Sequence, residues 1–317
     1  MNLYSSVGEE HFGISTNYAA FVGANEFAPT NPSTEEFRMN HSAFLCALCI
    51  SVATFIFPAP VAAQPAAQAL AGKLRLTGSS TLAPVMTELA KRFRLLHPGV
   101  EITVEAGGSS RGAADALAGH ADIGMVSREL HPDERALFVF TIARDGIALH
   151  VHRDNPVAQL TRMQAVELLA GRTGNWKALG GPDAKIEVIS RKEGHSSLEI
   201  VSHHFGLDPR EIKAAQVVGD NAEAARALAA NRNALSFFSV GYGEDMMQKG
   251  MPLKVLALDG MEASIQAVRA GKWPLARTLN LVTRAVPAGA ARGFIEFALS
   301  PQAHETIRQY DFVPYEN

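Results

Sequence analysis

Residues 77–84 read TGSSTLAP. A short apolar segment, Leu74-Arg75-Leu76, precedes them. Leu82, Val85, Met86, Leu89, Phe93 and Leu96 follow at the spacing of one helix face. The Gly/Ser/Thr cluster therefore stands on a strand-to-helix turn. There the free amides and positive dipole end of the helix favour an anion, and the hydroxyls add neutral donors. Ser and Thr are also ordinary N-caps, so one such turn decides little. The pattern recurs, however. Residues 107–112 (GGSSRG, with Ser109, Ser110 and Gly112) follow the alternation Val100-Ile102-Val104 and precede a helical pattern. Residues 122–128 (DIGMVSR) run a strand into Ser127-Arg128. Residues 185–197 (KIEVISRKEGHSS) carry a strand, Arg191, and a turn with His195, Ser196 and Ser197. In open α/β sheets ligands bind beyond the carboxyl ends of the strands. Four hydroxyl-bearing strand ends point to one small anionic ligand.

The elements behind these turns alternate from Leu74 onward as strand and helix, which argues for α/β units with mostly parallel sheets. Two strands are expected at 138–143 and 147–152, on either side of Arg144-Asp145-Gly146. Thr161 caps a helix with Met163, Val166 and Leu169 on its apolar face. Residues 241–243 (GYG) read as a turn, 254–258 as a short strand and 279–282 as another. Pro301 opens the last helix at its favoured first position.

The 317 residues are 47% hydrophobic and 19% charged, with a net charge of −3. That fits about two domains and gives no basic field for nucleic acid. The 11 His are scattered and form no metal-ligand array, nothing points to a cofactor, and no GxxxxGK[ST] phosphate loop occurs. Both cysteines, Cys46 and Cys49, lie in the apolar run 44–57. That run is shorter than the roughly 20 residues of a membrane span, and the small-residue stretch Val61-Ala62-Ala63 follows it. It reads as a signal peptide over 39–63, cleaved after Ala63, with export to the periplasm; an uncleaved anchor is the alternative. Residues 1–38 read as a disordered leader or a mis-assigned start, and 64–73 as a linker. The mature chain would contain no cysteine, so a large core must hold it.

The colinear order of GSSTLAP, GGSSRG, DIGMVSREL, IARDGIALHVHRDNP, GNWKALGGPDAKIEVISRKEGHSS, LSFFSVGYG, KWPLARTLNLVTR and LSPQAHETIRQYDFVP resembles the phosphate-type solute-binding proteins of bacterial ABC importers. The resemblance covers about 74–314. It implies a two-lobed type II periplasmic binding fold, each lobe a mostly parallel sheet flanked by helices, with two crossover strands as hinge. The first lobe is expected at 74–147 plus 252–317 and the second at 148–251, closing on ligand by a hinge motion. Carried over residue by residue, Thr81 and the Leu82 backbone match donors of the first turn. Ser109 matches the second, with Ser110 and the Gly112 backbone nearby, and Arg191 matches the Arg before the last turn. An Arg suits an oxyanion because its planar fork donates two parallel hydrogen bonds.

The chain departs from the family pattern at two places. His195-Ser196-Ser197 stands where Ser-Gly-Thr is usual. Ser127-Arg128 stands where phosphate-specific members carry an Asp; phosphate is still the first expectation, with sulfate, molybdate, tungstate or another oxyanion left open. His195 is either a ligand contact or a helix N-terminal residue without one. The resemblance implies a monomeric, non-enzymatic binding protein that serves a permease and an ATPase. Two other readings stand beside it. One is an oxyanion sensor or surface protein. The other is a secreted serine hydrolase, since residues 194–198 (GHSSL) start like G-x-S-x-G but lack the last Gly.

Overall fold

The first strand begins at Ala71, inside the segment expected to be linker, because Ala71, Gly72 and Lys73 already pair in parallel with Gly99, Val100 and Glu101. The computed structural model describes residues 70–315; the expected leader, the signal peptide and residues 64–69 of the linker lie outside the described residues. The first half comprises β1 (Ala71–Gly78), α1 (Ala83–Leu96), β2 (Gly99–Ala106), α2 (Ser109–Ala118), β3 (Ile123–Val126) and β4 (Phe138–His152). β5 (Gln159–Leu160), α3 (Arg162–Leu169), β6 (Glu187–Arg191), α4 (Ser196–Phe205), β7 (Ala214–Val218) and α5 (Asn221–Ala229) come next. β8 (Ala234–Ser239), α6 (Val240–Gln248), β9 (Leu253–Val255), β10 (Ala257–Leu258) and α7 (Ile265–Arg269) complete the second half. The chain then returns through β11 (Ala276–Thr283), α8 (Gly289–Leu299), α9 (Pro301–Gln309) and β12 (Val313–Pro314).

The strands lie in the order β2-β1-β3-β11-β4-β8-β6-β7, with β9 and β12 also on β4. The outer pairs are parallel, as the βαβ pattern requires. The central pairs along β4 are antiparallel. β4 is one continuous strand rather than two. Arg144, Asp145 and Gly146 stay in the ladder because they pair with Thr278, Arg277 and Ala276. From Ile147 onward the same strand pairs with β8 and β9 instead. β4 thus passes from one lobe to the other.

The segment 252–275, expected in the first lobe, pairs and packs with the second. β9 lies on His150–His152 and β10 on β5. Leu256, Leu258, Ile265, Val268, Trp273 and Leu275 share one core with Ile147, Leu149, Trp176 and Phe237. Trp273 also donates its indole N–H to the Ile147 carbonyl at 2.8 Å. A Trp or Phe ring carries about 150–250 Å² into a core, so apolar burial places this segment. The chain re-enters the first-half sheet only with β11.

Two local expectations fail for simple reasons. Met163 is 74% exposed, and α3 buries Ala165, Leu168 and Leu169, a face turned by one or two positions. Residues 241–243 form the first turn of α6, capped by the Ser239 hydroxyl, which accepts from the Tyr242 amide at 3.2 Å. Gly243 sits there because a Cβ would enter the ring of the buried His150.

Candidate functional site

Three glycines draw the first-lobe turns together. A Cβ on Gly112 would lie 2.5 Å from the Met125 carbonyl and 2.9 Å from the Gly78 Cα. Gly124 likewise faces the Gly112 carbonyl. With these side chains absent, α2 settles directly onto β1 and β3. Gly78 ends β1 at φ +127°, a conformation that favours glycine. The chain then turns through Ser79, whose hydroxyl accepts from the Thr81 and Leu82 amides at 3.2 Å each.

A small pocket opens where these turns meet the end of β6. Ser79, Ser80, Thr81, Gly108, Ser109, Ser127, Arg191, His195, Ser196 and Ser197 line it. Its floor is a cluster of hydroxyls centred on Ser127. The Ser127 Oγ is 2.8 Å from Ser79 Oγ, 3.2 Å from Ser109 Oγ and 2.8 Å from Ser196 Oγ. Ser196 comes from the second lobe, so the cluster joins the two. α1, α2 and α4 all start at this point, and none of them has a side-chain N-cap hydrogen bond. The amides of Ser109, Ser196 and Ser197 stand in first turns, where a helix supplies no acceptor of its own. Three dipole ends and their amides therefore face one place.

Two guanidiniums flank the cluster. Arg191 is buried at the end of β6; it donates to Asn221 Oδ1 at 3.0 Å and to the Gly219 carbonyl at 2.9 Å, while its Nε has no partner. Burial first, and then the neighbouring Arg277, bring its pKa down to about 10. Arg277 lies on β11, with its side chain 1% exposed. It donates to Asp145 at 2.6 Å, to Thr81 Oγ1 at 3.0 Å and to Ser196 Oγ at 3.0 Å. The second Asp145 oxygen accepts from the Gly241 amide at 3.4 Å. No carboxylate is among the pocket-lining residues. The arrangement offers hydroxyls, amides and guanidiniums to an anion and keeps the Asp145 carboxylate turned to Arg277.

Seven of the residues singled out from sequence thus come together at the pocket: Thr81, Ser109, Ser127, Arg191, His195, Ser196 and Ser197. The other four do not line it. The Leu82 side chain is buried and its amide is held by Ser79. The Gly112 amide donates to the Gly108 carbonyl at 3.1 Å inside α2; this glycine serves close packing. Arg128 turns away into a bidentate pair with Glu134, at 2.7 and 2.9 Å, and reaches Glu199 of the second lobe at 2.6 Å. Burial alone would lower the Arg128 pKa, but Glu134 and Glu199 hold it above its ordinary value. Ser110 joins the same contact, donating to Glu199 at 2.9 Å and accepting from Arg128 at 3.1 Å. These residues bridge the lobes beside the pocket.

A family model for the PBP superfamily domain matches residues 63–302. The chain belongs to the PBP superfamily. Among PBP-superfamily relatives, the phosphate-binding protein PstS of Bacillus subtilis is 25% identical over 241 residues, 74% of this chain and 78% of that one. PstS 2 of Streptococcus pneumoniae is 38% identical over 110 residues, 34% and 38% of the two chains. A Clostridium perfringens structure, assigned as a phosphate ABC transporter substrate-binding protein and solved with bound phosphate, superposes with a TM-score of 0.72. It is 29% identical over 77% of this chain and all of its own. An ABC-type phosphate transport receptor from Vibrio cholerae gives a TM-score of 0.64 at 28% identity, with the same coverage. The fold is the two-lobed type II periplasmic binding fold of this superfamily, with β4 as one crossover and the approach to β11 as the other.

Reading the sequence for hydroxyl-rich turns missed Arg277, Asp145 and Asn221. A signal existed. Arg277 shares the parity of Leu279 and Leu281 in β11, and Arg144-Asp145 interrupts the mostly apolar strand 138–152. A charge on a buried strand face needs a partner, and these two lie directly opposite each other.

Proposed function

We propose that this protein captures a tetrahedral oxyanion, with phosphate the leading ligand, between its two lobes and delivers it to an ABC permease and ATPase. The observation that carries the proposal is the unpartnered Arg191 Nε, buried at a pocket lined by hydroxyls from four turns, two of which, Thr81 and Ser196, accept from Arg277 behind them. Buried donors in native proteins are nearly always satisfied, so this one calls for an acceptor from outside the chain. Thr81, Ser109, Ser127, Arg191, Arg277, Ser196 and Ser197 would hold the anion, with Asn221 and Asp145 orienting the two guanidiniums. The relatives with comparable chain coverage support phosphate as the ligand and import as the role. A location outside the cytoplasm follows from that role. In this reading the lobes are 70–146 with 276–315 and 147–275, and β4 bends at its middle when they open.

Capture without catalysis fits the hydroxyl geometry. Ser196 is bonded to Ser127 and Arg277, and no pocket serine is hydrogen-bonded to an imidazole. A nucleophilic serine needs such a base within reach.

A thermal-shift panel of phosphate, sulfate, molybdate and tungstate on the chain from Gln64 onward tests the proposal. A ligand that binds only the folded state raises apparent stability by about 2.7 kcal/mol at 100 times its Kd. Phosphate should give a concentration-dependent rise in Tm. A flat response to all four anions would overturn the reading.

A further inference from the structure

Three of the pocket's hydroxyls are already engaged as acceptors. Ser79 Oγ accepts two amides, Ser109 Oγ accepts the Ser127 amide at 3.0 Å, and Thr81 Oγ1 accepts from Arg277 and, at 3.5 Å, from Asn221. Ser79 also donates its own proton to Ser127 Oγ at 2.8 Å, and an alcohol oxygen is a far weaker base than an imidazole nitrogen. Guanidiniums and amides only donate. A hydrogen phosphate dianion carries one P–OH that must itself donate, so such a pocket leaves that proton without a strong acceptor.

His195 is the exception. It is the N-cap residue of α4, yet its side chain makes no cap bond, and the residue lines the pocket. Resting on the oxyanion reading above, we propose that the neutral His195 imidazole accepts the hydroxyl proton of hydrogen phosphate and so discriminates it from anions that carry no proton. Burial first, then the positive charges of Arg191 and Lys192, lower the His195 pKa; Asp220 and Glu199 oppose them. Arg277 reaches the same pocket through Ser196. The imidazole is therefore neutral at pH 7 and keeps a free lone pair. Once protonated, it becomes another donor and favours a proton-free dianion such as sulfate.

Titration calorimetry of phosphate and monofluorophosphate at pH 8 isolates the effect. The two dianions share charge and shape, and only phosphate carries the O–H. Wild type should prefer phosphate tenfold or more. His195→Ala should shrink that preference at least fivefold, and His195→Asn, which keeps an acceptor oxygen, should restore most of it. Sulfate does not titrate between pH 8 and 5.5, so its affinity should rise at least threefold on acidification in wild type and stay level in both variants. If His195→Ala binds all three anions with the wild-type ratios and pH profile, the inference falls and the oxyanion reading stands. If wild type binds none of them, both fall.

Discussion

Arg277 and Asp145 face each other directly across the β11–β4 ladder, with Nη2 2.6 Å from Oδ2, at the point where β4 leaves one lobe for the other. From there the guanidinium touches Thr81 of the first lobe and Ser196 of the second. One ion pair thus ties the hinge strand to both walls of the pocket. Removing only the cation strands a buried carboxylate. Arg277→Met should cost about 3–5 kcal/mol of stability by urea unfolding. The double variant Arg277→Met/Asp145→Asn should recover most of that loss while anion affinity stays low. Restored phosphate binding in the double variant would show that the guanidinium acts only through Asp145.

Arg191 makes the opposite kind of contribution. Its pKa in the folded chain lies near 10, below the ordinary value, because burial and Arg277 disfavour its charge. At every pH below about 10 the folded protein carries that penalty in full; the penalty fades only as pH rises toward the unfolded value. Arg191→Met should therefore raise the Tm of the ligand-free protein, by roughly 1–3 kcal/mol in stability. It should also remove about 2–5 kcal/mol of anion affinity. Calorimetry with and without phosphate checks both signs in one variant; near-normal phosphate affinity would refute its place in the site.

The turns of the site were legible because strand-to-helix junctions write their chemistry locally, as runs of Gly, Ser and Thr at residues 77–84, 107–112 and 191–197. The lobe boundary was not. Residues 252–275 carry short strands and a single helical turn whose allegiance is decided by where Trp273 and Leu256 find a core, and that is a tertiary fact. Arg128 was misplaced for a related reason. Its position after β3 is right for a ligand contact, but Glu134 and Glu199, 6 and 71 positions away, neutralise it first. Arg277 was missed because its partner lies 132 positions away, and only the ladder makes them neighbours.

Beside the pocket, Glu199 gathers Ser110, Arg128 and His131 from the first lobe, at 2.9, 2.6 and 3.4 Å. These contacts exist only when the lobes meet, so they favour the closed form without touching ligand. Glu199→Gln leaves Arg128 paired with Glu134 and should weaken closure by about 1 kcal/mol. Stopped-flow release should show phosphate leaving several-fold faster while the association rate changes little. An unchanged dissociation rate would remove this contact from the closing mechanism.

Gly112 separates a packing role from a binding one. Gly112→Ala sets a methyl against the Met125 and Thr77 carbonyls and the Gly78 Cα, all backbone. Overpacking of this kind costs about 1–3 kcal/mol. Stability should fall, while any protein that remains folded keeps ligand contacts through Ser109. A full loss of affinity in protein with wild-type Tm would argue instead for a direct Gly112 contact.

His150 sets an acid limit on the fold that is independent of the site. Its ring is fully buried, stacked on Phe238 at 3.8 Å, with Nδ1 3.0 Å from the Ala148 carbonyl. Burial brings its pKa down to about 3. Between pH 6.5 and 3 the unfolded chain holds a proton there that the folded chain lacks. Stability from this group is therefore complete above pH 6.5 and declines as pH falls, by up to about 1.4 kcal/mol per unit. His150→Gln removes the titration and leaves a neutral polar side chain. It should be less stable than wild type at pH 8, because the stacking is lost, yet lose stability more gradually between pH 6.5 and 4.5. Parallel acid slopes in urea unfolding of the two proteins would show that the buried imidazole does not govern acid sensitivity.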